Sequence, residues 1–311
     1  MVRPRRSHPR NQSRLFRVTS PNQLVERLGI ELADLRMLES APKNYIRWTD
    51  KKTGRDIQRP KPKLDRIHRR AAVLLPRIIV PAYLHSAVKG RSYITNAHEH
   101  DARLPSVKID IRQFYPSTRA AAVFHFFRDR MECDGDVAGI LAKLLTVDGH
   151  LATGSSVSPI LSFLAYEDMF EEINTLATAH GCTMTCYVDD VVITGPGATP
   201  RMVWEVKSIM RRYRLWGHKT RLFRAGQARV ITGVAITHAG PRLPNKRKRK
   251  IAETVAQLQS AANDTARLEI ARKAVGLLHE AAQIDPMWRP QADAMVERKR
   301  GIERRMKAAL P

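Results

Sequence analysis

Three aspartates stand where the apolar pattern of the sequence predicts β-structure. Asp110 lies in SVKIDI (106–111), while Asp189 and Asp190 stand at the centre of TCYVDDVVITG (185–195), between apolar β-branched runs. A carboxylate within an apolar strand is costly unless a cation compensates its charge. If the two segments are neighbours in one sheet, three carboxylates converge at one edge and repel one another at low effective dielectric.

Such a cluster suits hard divalent cations. Mg²⁺ is bound by carboxylate oxygens and usually keeps phosphate and water ligands. Two such ions about 3.5–4 Å apart activate an attacking hydroxyl and stabilise the departing oxygen of an in-line phosphoryl displacement. The pattern therefore predicts a two-metal site of Asp110, Asp189 and Asp190. Plainer interpretations stay open, because an Asp–Asp pair is common in hairpin turns and a lone aspartate can cap a strand end.

The segments around these aspartates alternate between strand and helix patterns. SVKIDI predicts a short buried strand, and a helix is expected to begin near Ser117 or Thr118. Further elements are predicted as helices at 135–145, 158–181 and 200–217, and as strands at 185–195, 221–225 and 229–236. This order of elements predicts an α+β fold with an antiparallel sheet and not a doubly wound parallel one.

Towards the N-terminus the patterns are shorter. Residues 1–14 are Arg-rich without periodicity and predict a mobile arm. SPNQLVERLG (20–29) predicts a capped helix, and YIRWTDKKTGRDIQRP (45–60) predicts a hairpin. LDRIHRRAAVLLPRII (64–79) has helical spacing, with Arg and His opposite the Leu and Ile positions. From about residue 240 the chain becomes helical and basic, which predicts a domain boundary there.

The charge balance indicates a polyanionic partner. With 54 lysines and arginines against 30 aspartates and glutamates, the formal charge is +24 at pH 7. A surplus of this size makes a compact protein repel itself unless a polyanion is present. Nucleic acid is favoured, because Lys and Arg displace its condensed counterions. An anionic membrane surface is the alternative, but no amphipathic helix flanked by lipidation signals is found.

The cysteines and the apolar segments exclude several other classes. Cys133, Cys182 and Cys186 are odd in number and form no C-x-x-C pair, so neither a disulfide framework nor a zinc site is indicated. No apolar region follows the basic opening MVRPRRSHPR, which argues against a secretory signal. The longest apolar stretch, 71–84, is interrupted by prolines and is too short to span a bilayer. A cytoplasmic protein without membrane contact is predicted.

Three sequence boxes resemble one enzyme family. KIDIRQFYPS (108–117), TGSSVSPILSFL (153–164) and YVDD (187–190) resemble, in this order and spacing, the A, B and C motifs of reverse transcriptases. NAHEH (96–100) and ITGVAI (231–236) resemble two elements of bacterial retron reverse transcriptases. The resemblance is strongest in the middle of the chain and less distinct at both ends.

One departure from that group lies within the third box. Val188 stands where retron enzymes usually carry Ala, although valine occurs there in other reverse transcriptases. The resemblance implies a right-hand polymerase fold with fingers, an antiparallel-sheet palm and a helical thumb. By this resemblance, residues 1–20 would form a basic N-terminal arm, and residues 21–105 together with part of 118–150 would form the fingers. Residues 106–239 would form the palm with the catalytic motifs, and residues 240–311 would form a helical basic thumb.

The resemblance also implies roles at the catalytic centre. Asp110, Asp189 and Asp190 would be the catalytic, metal-binding carboxylates, with Asp190 the least certain direct ligand. Tyr115 would pack under the sugar and leave no room for a ribose 2′-hydroxyl. Lys219 would protonate the departing pyrophosphate, although a plain surface lysine is the alternative.

Other residues would contact the nucleotide or the RNA. Arg55 would grip the incoming triphosphate through its guanidinium fork, with Lys52 assisting. Gly154 and Ser158 lie in a loop before a helix, where backbone N–H groups can approach template and nucleotide. A structural role stays open for Asn96 and His100. The RNA-contacting set is expected to comprise Arg91, Ser92, Asn96, His100, Lys246, Arg247 and Lys248.

The function implied is RNA-directed DNA synthesis with Mg²⁺ and dNTPs. A retron enzyme of the bacterial cytoplasm would copy a cognate structured non-coding RNA into a branched RNA–DNA product, msDNA, from a guanosine 2′-hydroxyl. A separate effector protein in anti-phage defence and host RNase H acting in trans are the further partners implied. The alternatives are a group II intron-like or diversity-generating reverse transcriptase, a non-catalytic RNA-binding scaffold, and a magnesium nuclease on an unrelated fold.

Overall fold

The computed structural model describes residues 7–41 and 43–308. Its helices are α1 (Pro21–Leu28), α2 (Leu32–Ser40), α3 (Pro62–Leu74), α4 (Tyr93–His98), α5 (Phe114–Ser117), α6 (Ala120–His125), α7 (Gly135–Leu145), α8 (Ser158–Ala165), α9 (Glu167–Ala179), α10 (Pro200–Arg212), α11 (Asn245–Gln259), α12 (Asp264–Ile284) and α13 (Arg289–Ala308). Its strands are β1 (Tyr45–Thr49), β2 (Asp56–Pro60), β3 (Ser106–Ile111), β4 (Thr146–Val147), β5 (His150–Leu151), β6 (Thr183–Tyr187), β7 (Asp190–Thr194), β8 (Gly217–Phe223), β9 (Arg229–Ile231), β10 (Val234–Thr237) and β11 (Gly240–Arg242).

The largest sheet has four strands in the order β6-β7-β3-β8. Strand β7 pairs antiparallel with both β3 and β6. The described residues also form the hairpin β1-β2, the three-stranded sheet β11-β10-β9 and the small pair β4-β5. The predicted α+β fold with an antiparallel sheet is confirmed.

Strand β3 shows how the sequence builds this sheet. Val107, Ile109 and Ile111 are fully buried, whereas Lys108 and Asp110 between them are only partly buried. Side chains of a strand alternate between its two faces. One face of β3 therefore packs into the apolar core, and the other presents charged groups.

The chain divides into two compact units. The first comprises Met1–Ser92 and Ser106–Leu222, and the second comprises Tyr93–Pro105 and Phe223–Pro311. The four-stranded sheet belongs to the first unit except for Phe223, the last residue of β8. Helices α11, α12 and α13 belong to the second unit. These units do not correspond one to one with the expected arm, fingers, palm and thumb, so those names stay a prediction.

Several predicted elements are confirmed. Helix α1 has Ser20 as its N-cap, whose hydroxyl accepts a hydrogen bond from the Gln23 N–H, and it ends at Gly29 in the left-handed conformation. The hairpin β1-β2, helix α7 and the β6-β7 hairpin lie where the patterns place them. All three cysteines are free and buried. In the described part of the chain, every helix is too short or too polar to cross a bilayer.

Three helix predictions are wrong in detail. No side chain caps α6, because the Thr118 hydroxyl instead donates to the Phe114 carbonyl and closes the preceding turn. The helix expected over 158–181 is broken at Tyr166, which leaves the helical conformation while its hydroxyl donates to the Ser117 carbonyl. Helix α10 ends at Arg212, before the predicted glycine.

The expected mobile arm is also wrong for its described part. The His8 N–H donates to the Arg77 carbonyl at 2.8 Å, and the Ile79 N–H donates to the His8 carbonyl at 2.9 Å. Arg10 forms an ion pair with Glu167, and Leu15 is fully buried. These contacts fix the segment from His8 onwards, whereas residues 1–6 lie outside the described residues.

Candidate active site

The three aspartates meet at one end of the four-stranded sheet. The antiparallel register places Asp110 of β3 directly opposite Asp190 of β7. Because Tyr187 of β6 also pairs with Asp190, Val188 and Asp189 form the turn of the hairpin. The Ile111 N–H donates to the Asp189 carbonyl at 2.8 Å, which ties the turn to β3. The predicted convergence of the carboxylates is therefore present.

The turn itself is strained. Val188 adopts a positive φ of 57°, a conformation that β-branched residues rarely take. Its N–H donates to the Ser86 hydroxyl at 3.0 Å, and this contact holds the turn in place. Backbone strain of this kind is typical of functional sites whose surroundings enforce it.

The electrostatics of the site centre on Asp189. The pKa of its carboxyl is raised to about 6, first by burial and then by the negative charges of Asp110 and Asp190. The guanidinium of Arg55 acts in the opposite direction and lowers that pKa. Like charges opposite each other in a sheet are destabilising, so the cluster needs compensating positive charge.

Two side chains that contact the aspartates were missed from the sequence. The Lys108 ammonium lies 2.8 Å from Oδ2 of Asp190, and Nδ1 of His218 lies 2.9 Å from Oδ1 of Asp110. Lys108 stands two residues before Asp110, so strand alternation places both side chains on one face. That signal was available in the sequence. His218 comes from the distant strand β8, and no local pattern indicated it.

The donor chemistry of the cluster fits a divalent cation. Carboxylate oxygens are the ligands that Mg²⁺ prefers, and a bound cation would offset the burial and the like charges that raise the pKa of Asp189. In residues 7–41 and 43–308, no three His, Cys, Asp or Glu side chains stand close enough together to hold an ion in their present positions. The contacts of Asp110 with His218 and of Asp190 with Lys108 would have to yield.

Tyr115 lies beside this cluster. It lies in the single turn α5, whose N-cap residue Gln113 has a positive φ of 48°. Burial raises the pKa of the Tyr115 hydroxyl, and the nearby charge of Asp189 raises it further. Its ring stacks on Phe114 with the planes 25° apart. The side chain is thus held by its neighbour within electrostatic reach of Asp189.

The β1-β2 hairpin brings Arg55 within electrostatic reach of Asp189. The Asp50 N–H donates to the Arg55 carbonyl, and the Lys52 N–H donates to the Asp50 carboxylate, both at 2.8 Å. Arg55 and Lys52 are exposed. The charge of Arg55 reaches Asp189, as the lowering of its pKa indicates. The structure thus brings Arg55 towards the candidate site.

Gly154 and Ser158 make contacts inside the protein. The Gly154 N–H donates to the Gln58 carbonyl of β2 at 3.1 Å. The buried Ser158 hydroxyl donates to the Ala152 carbonyl at 2.7 Å. The Gly154 hydrogen bond fixes the loop against β2, and the Ser158 hydrogen bond links the start of α8 to Ala152. The expected contact of these two residues with template or nucleotide stays a prediction.

Lys219 is exposed and has a positive φ of 47° within β8. Its neighbour His218 is the residue of this strand that contacts Asp110. The role of Lys219 in leaving-group protonation stays a prediction.

Comparison with known proteins identifies the relatives of this chain. No protein-family model matches it. It is 25% identical to retron Se72 reverse transcriptase of Salmonella heidelberg (strain 579083-10) over 250 residues, which cover 75% of this chain and 66% of the relative. Retron Mx162 reverse transcriptase of Myxococcus xanthus is 26% identical over 298 residues, which cover 83% and 61%. The resemblance to retron reverse transcriptases is confirmed.

One further retron relative and one solved structure are also similar to this chain. Retron Mx65 reverse transcriptase of Myxococcus xanthus is 28% identical over 225 residues, which cover 62% of this chain and 51% of the relative. A solved foamy viral protease-reverse transcriptase in complex with double-stranded DNA covers 90% of this chain and 43% of its own, with 14% identity and a TM-score of 0.45. The chain spans between 51% and 66% of the length of these three retron relatives.

The two retron-type elements meet within the second unit. Nδ2 of Asn96, from NAHEH, donates to the Thr232 hydroxyl of ITGVAI at 3.3 Å, and that hydroxyl donates to the Tyr93 carbonyl at 2.7 Å. Asn96 is fully buried, its Oδ1 has no partner among the described residues, and His100 is buried as well. These contacts support the structural alternative for Asn96.

The remaining residues that are expected to contact RNA differ in their partners within the protein and in their exposure. Nη1 of Arg91 donates to the Pro81 and Leu84 carbonyls, both at 2.7 Å. Arg247 pairs with Glu280 and lies over the Tyr93 ring. Both guanidinium groups therefore have partners inside the protein, and their expected contact with RNA stays a prediction. Ser92 is half-buried, and Lys246 and Lys248 are exposed. Contact of these three residues with RNA stays a prediction.

Proposed function

We propose that this chain is a retron-type RNA-directed DNA polymerase. The observation that carries the proposal is the register of β3 and β7, which sets Asp110 opposite Asp190 with Asp189 in the adjoining turn. Two aligned carboxylates and a third with a raised pKa form a donor set for divalent cations. The similarity to three retron reverse transcriptases supports the same conclusion.

Asp110, Asp189 and Asp190 would hold two Mg²⁺ ions. When bound, such ions supply activation of the attacking hydroxyl and stabilisation of the departing oxygen. Lys108 and His218 would release their carboxylates at that point and leave the cluster free to bind cations. Without bound Mg²⁺, the Lys108 ammonium compensates the charge of Asp190, and His218 lies against Asp110.

The other residues would orient the dNTP. Arg55, with Lys52, would bind the triphosphate through charge-assisted hydrogen bonds. Tyr115 would pack under the sugar and exclude a 2′-hydroxyl, since its stacked ring has little freedom to move. Lys219 would stabilise the negative charge of the departing pyrophosphate.

The template would be a cognate structured non-coding RNA. Priming from a guanosine 2′-hydroxyl would join the DNA to that RNA and yield msDNA. A separate effector protein, a role in anti-phage defence and RNA trimming by host RNase H belong to the same proposal. The first unit would supply fingers and palm functions, and α11, α12 and α13 would form the thumb.

Sequencing of the nucleic acid that co-purifies with the protein tests this proposal. The wild-type chain, expressed from its native locus, should carry RNA joined to DNA through a 2′–5′ linkage. Asp189→Asn expressed in the same way should carry RNA without DNA. Linear cDNA in the wild type would contradict the retron type in favour of another reverse transcriptase, and RNA alone in the wild type would favour a non-catalytic scaffold.

A further inference from the structure

Two cavities of the first unit share one wall. They have volumes of about 570 and 460 Å³, and Lys143, Thr146 and Asp148 line both. Cavities of about 300–1,000 Å³ are the usual size of small-molecule sites. We call the two together the 143–148 cleft. None of its lining residues belongs to the acidic cluster or to the residues assigned above to dNTP binding.

The larger cavity has more cationic than acidic side chains in its lining: Lys43, Arg47, Lys61 and Lys143 against Glu39 and Asp148. Lys43, Lys61 and Lys143 line it, and in the part of the chain that the structure describes their ammonium groups form no ion pair. Arg47 holds Asp148 in a two-pronged ion pair with N–O distances of 2.7 and 2.9 Å. The acid of the shared wall is thus neutralised, and the three free ammonium groups favour an anion.

The wall of this cavity is fixed before any ligand arrives. The Tyr45 hydroxyl donates to the Thr146 carbonyl at 3.1 Å, and Nδ2 of Asn44 donates to the Leu38 carbonyl at 2.7 Å. Leu64 adds a buried apolar surface. A pre-formed wall lowers the ordering cost of binding, so the cavity suits a ligand that carries an anionic group beside an apolar one.

The smaller cavity supplies an aromatic surface. Phe124 lines it together with Ala120, Ala121 and Gly139. The two alanine methyl groups and the glycine leave room beside the ring. The guanidinium carbon of Arg128 lies 5.3 Å from the ring centroid. Nucleobases stack on aromatic side chains and on guanidinium planes.

We propose that the 143–148 cleft binds a nucleotide, with its phosphate at Lys43, Lys61 and Lys143 and its base against Phe124. The cleft would recognise a phosphate group joined to a planar base, and two kinds of molecule carry this combination. A free mononucleotide is one, and a single-stranded stretch of RNA is the other. The second source rests on the proposed function, whereas the binding chemistry does not.

Binding measurements on four proteins test the cleft. Calorimetry with AMP, ³¹P NMR with inorganic phosphate and fluorescence anisotropy with a labelled oligoadenylate RNA are compared for wild type, Lys61→Ala/Lys143→Ala, Phe124→Leu and Lys273→Ala. Lys273 is an exposed lysine of α12 and matches Lys143 as a helix lysine. The double variant should lose about tenfold or more in AMP affinity. Phe124→Leu should lose about tenfold for AMP and nothing for inorganic phosphate, and Lys273→Ala should match wild type.

The RNA measurement assigns the source. If the cleft variants weaken oligoadenylate binding as they weaken AMP binding, RNA occupies the cleft; if only AMP binding falls, the ligand is a free mononucleotide. Wild type that binds no AMP, or cleft variants that bind AMP as Lys273→Ala does, would overturn the proposal.

A polymerisation assay separates this result from the proposed function. All four proteins should extend oligo(dT) on saturating poly(rA) at the wild-type rate, because the cleft contains no catalytic residue. Failure of the wild type to extend the primer would count against the polymerase and leave the AMP measurements standing. Thermal unfolding of each variant checks that the substitutions leave the fold intact.

Discussion

Asp189 differs from the two aspartates beside it. Lys108 contacts Asp190 and His218 contacts Asp110, whereas burial and like charge raise the pKa of Asp189 to about 6. A carboxyl whose pKa is higher in the folded state than in the unfolded state destabilises the fold once it ionises. That cost is small near pH 4 and complete above about pH 6.

Asp189→Asn should therefore stabilise the metal-free protein at neutral pH. Removal of the ionised carboxyl should raise the free energy of unfolding by about 2 kcal/mol at pH 7 and by much less at pH 4. Urea denaturation in EDTA at both pH values measures this, with the exposed Asp293→Asn as the matched control. An equal gain at the two pH values, or none at pH 7, would show that the charge of Asp189 is not the cause.

Tyr115 is the residue that should set sugar selectivity. Its ring is stacked on Phe114 near Asp189, so a smaller side chain opens space for a 2′-hydroxyl. Tyr115→Ala should improve rNTP use relative to dNTP use by about tenfold or more in kcat/KM. Tyr115→Phe keeps the ring and should retain the discrimination of the wild type. Unchanged discrimination in Tyr115→Ala would place the sugar elsewhere.

At the scale of elements, the loop before α8 is built onto the β1-β2 hairpin. A Cβ on Gly154 would lie 2.9 Å from the Gln58 carbonyl oxygen and 3.1 Å from Cγ2 of Ile57. The Thr153 hydroxyl donates to the Asp56 carbonyl at 2.7 Å in the same contact. The loop and the hairpin that carries Arg55 therefore form one packed element.

Gly154→Ala should disturb that packing. The added methyl should lower the free energy of unfolding by about 1–3 kcal/mol and raise KM for dNTP, because the Arg55 hairpin must shift. Gly276→Ala in the interior of α12, where a Cβ meets nothing within 4 Å, is the control and should be neutral or stabilising by up to about 1 kcal/mol. Chemical denaturation and steady-state kinetics measure both; a Gly154→Ala protein equal to wild type in both would contradict the account.

The elements that the sequence predicted correctly are stabilised mainly by interactions between residues that are close together in the chain. Strand β3 follows from apolar alternation, and α1 follows from its capping residue and its terminal glycine. The errors arose where a distant partner decides the conformation. His8 bonds to Arg77, and the Tyr166 hydroxyl bonds to the Ser117 carbonyl. No pattern within either segment contains these partners.

In the candidate site, too, local patterns predicted some features, and partners from distant parts of the chain could not be predicted. The sequence predicted that the three aspartates converge, because two strand patterns and the order of the boxes fixed their place. It missed His218, which approaches Asp110 from another strand. It also did not indicate the carbonyls that accept from Arg91 or the ion pair of Arg247 with Glu280. The RNA contacts expected of these two arginines stay predictions. The sequence shows where an arginine or a histidine stands in the chain, but it does not show which group inside the protein that side chain contacts.

At the scale of the whole molecule, the charge of +24 should govern RNA binding. Counterion release makes the affinity of a cationic protein for nucleic acid fall steeply with salt. A protein that engages about 6–10 phosphates loses about 10³-fold or more in affinity between 50 and 200 mM salt. Anisotropy titrations of a labelled structured RNA across that range measure the slope. A flat response would mean that the surplus charge serves another partner.

The most direct measurement of the central claim is single-nucleotide incorporation on an RNA template by wild type and Asp189→Asn. Loss of one carboxylate of a two-metal site removes several kcal/mol of transition-state stabilisation, so the variant should incorporate dNTP about a thousandfold more slowly. Its RNA affinity should equal that of wild type, and the exposed Asp293→Asn should retain full activity. Wild-type incorporation rates in Asp189→Asn would contradict the assignment of the acidic cluster as the polymerase site.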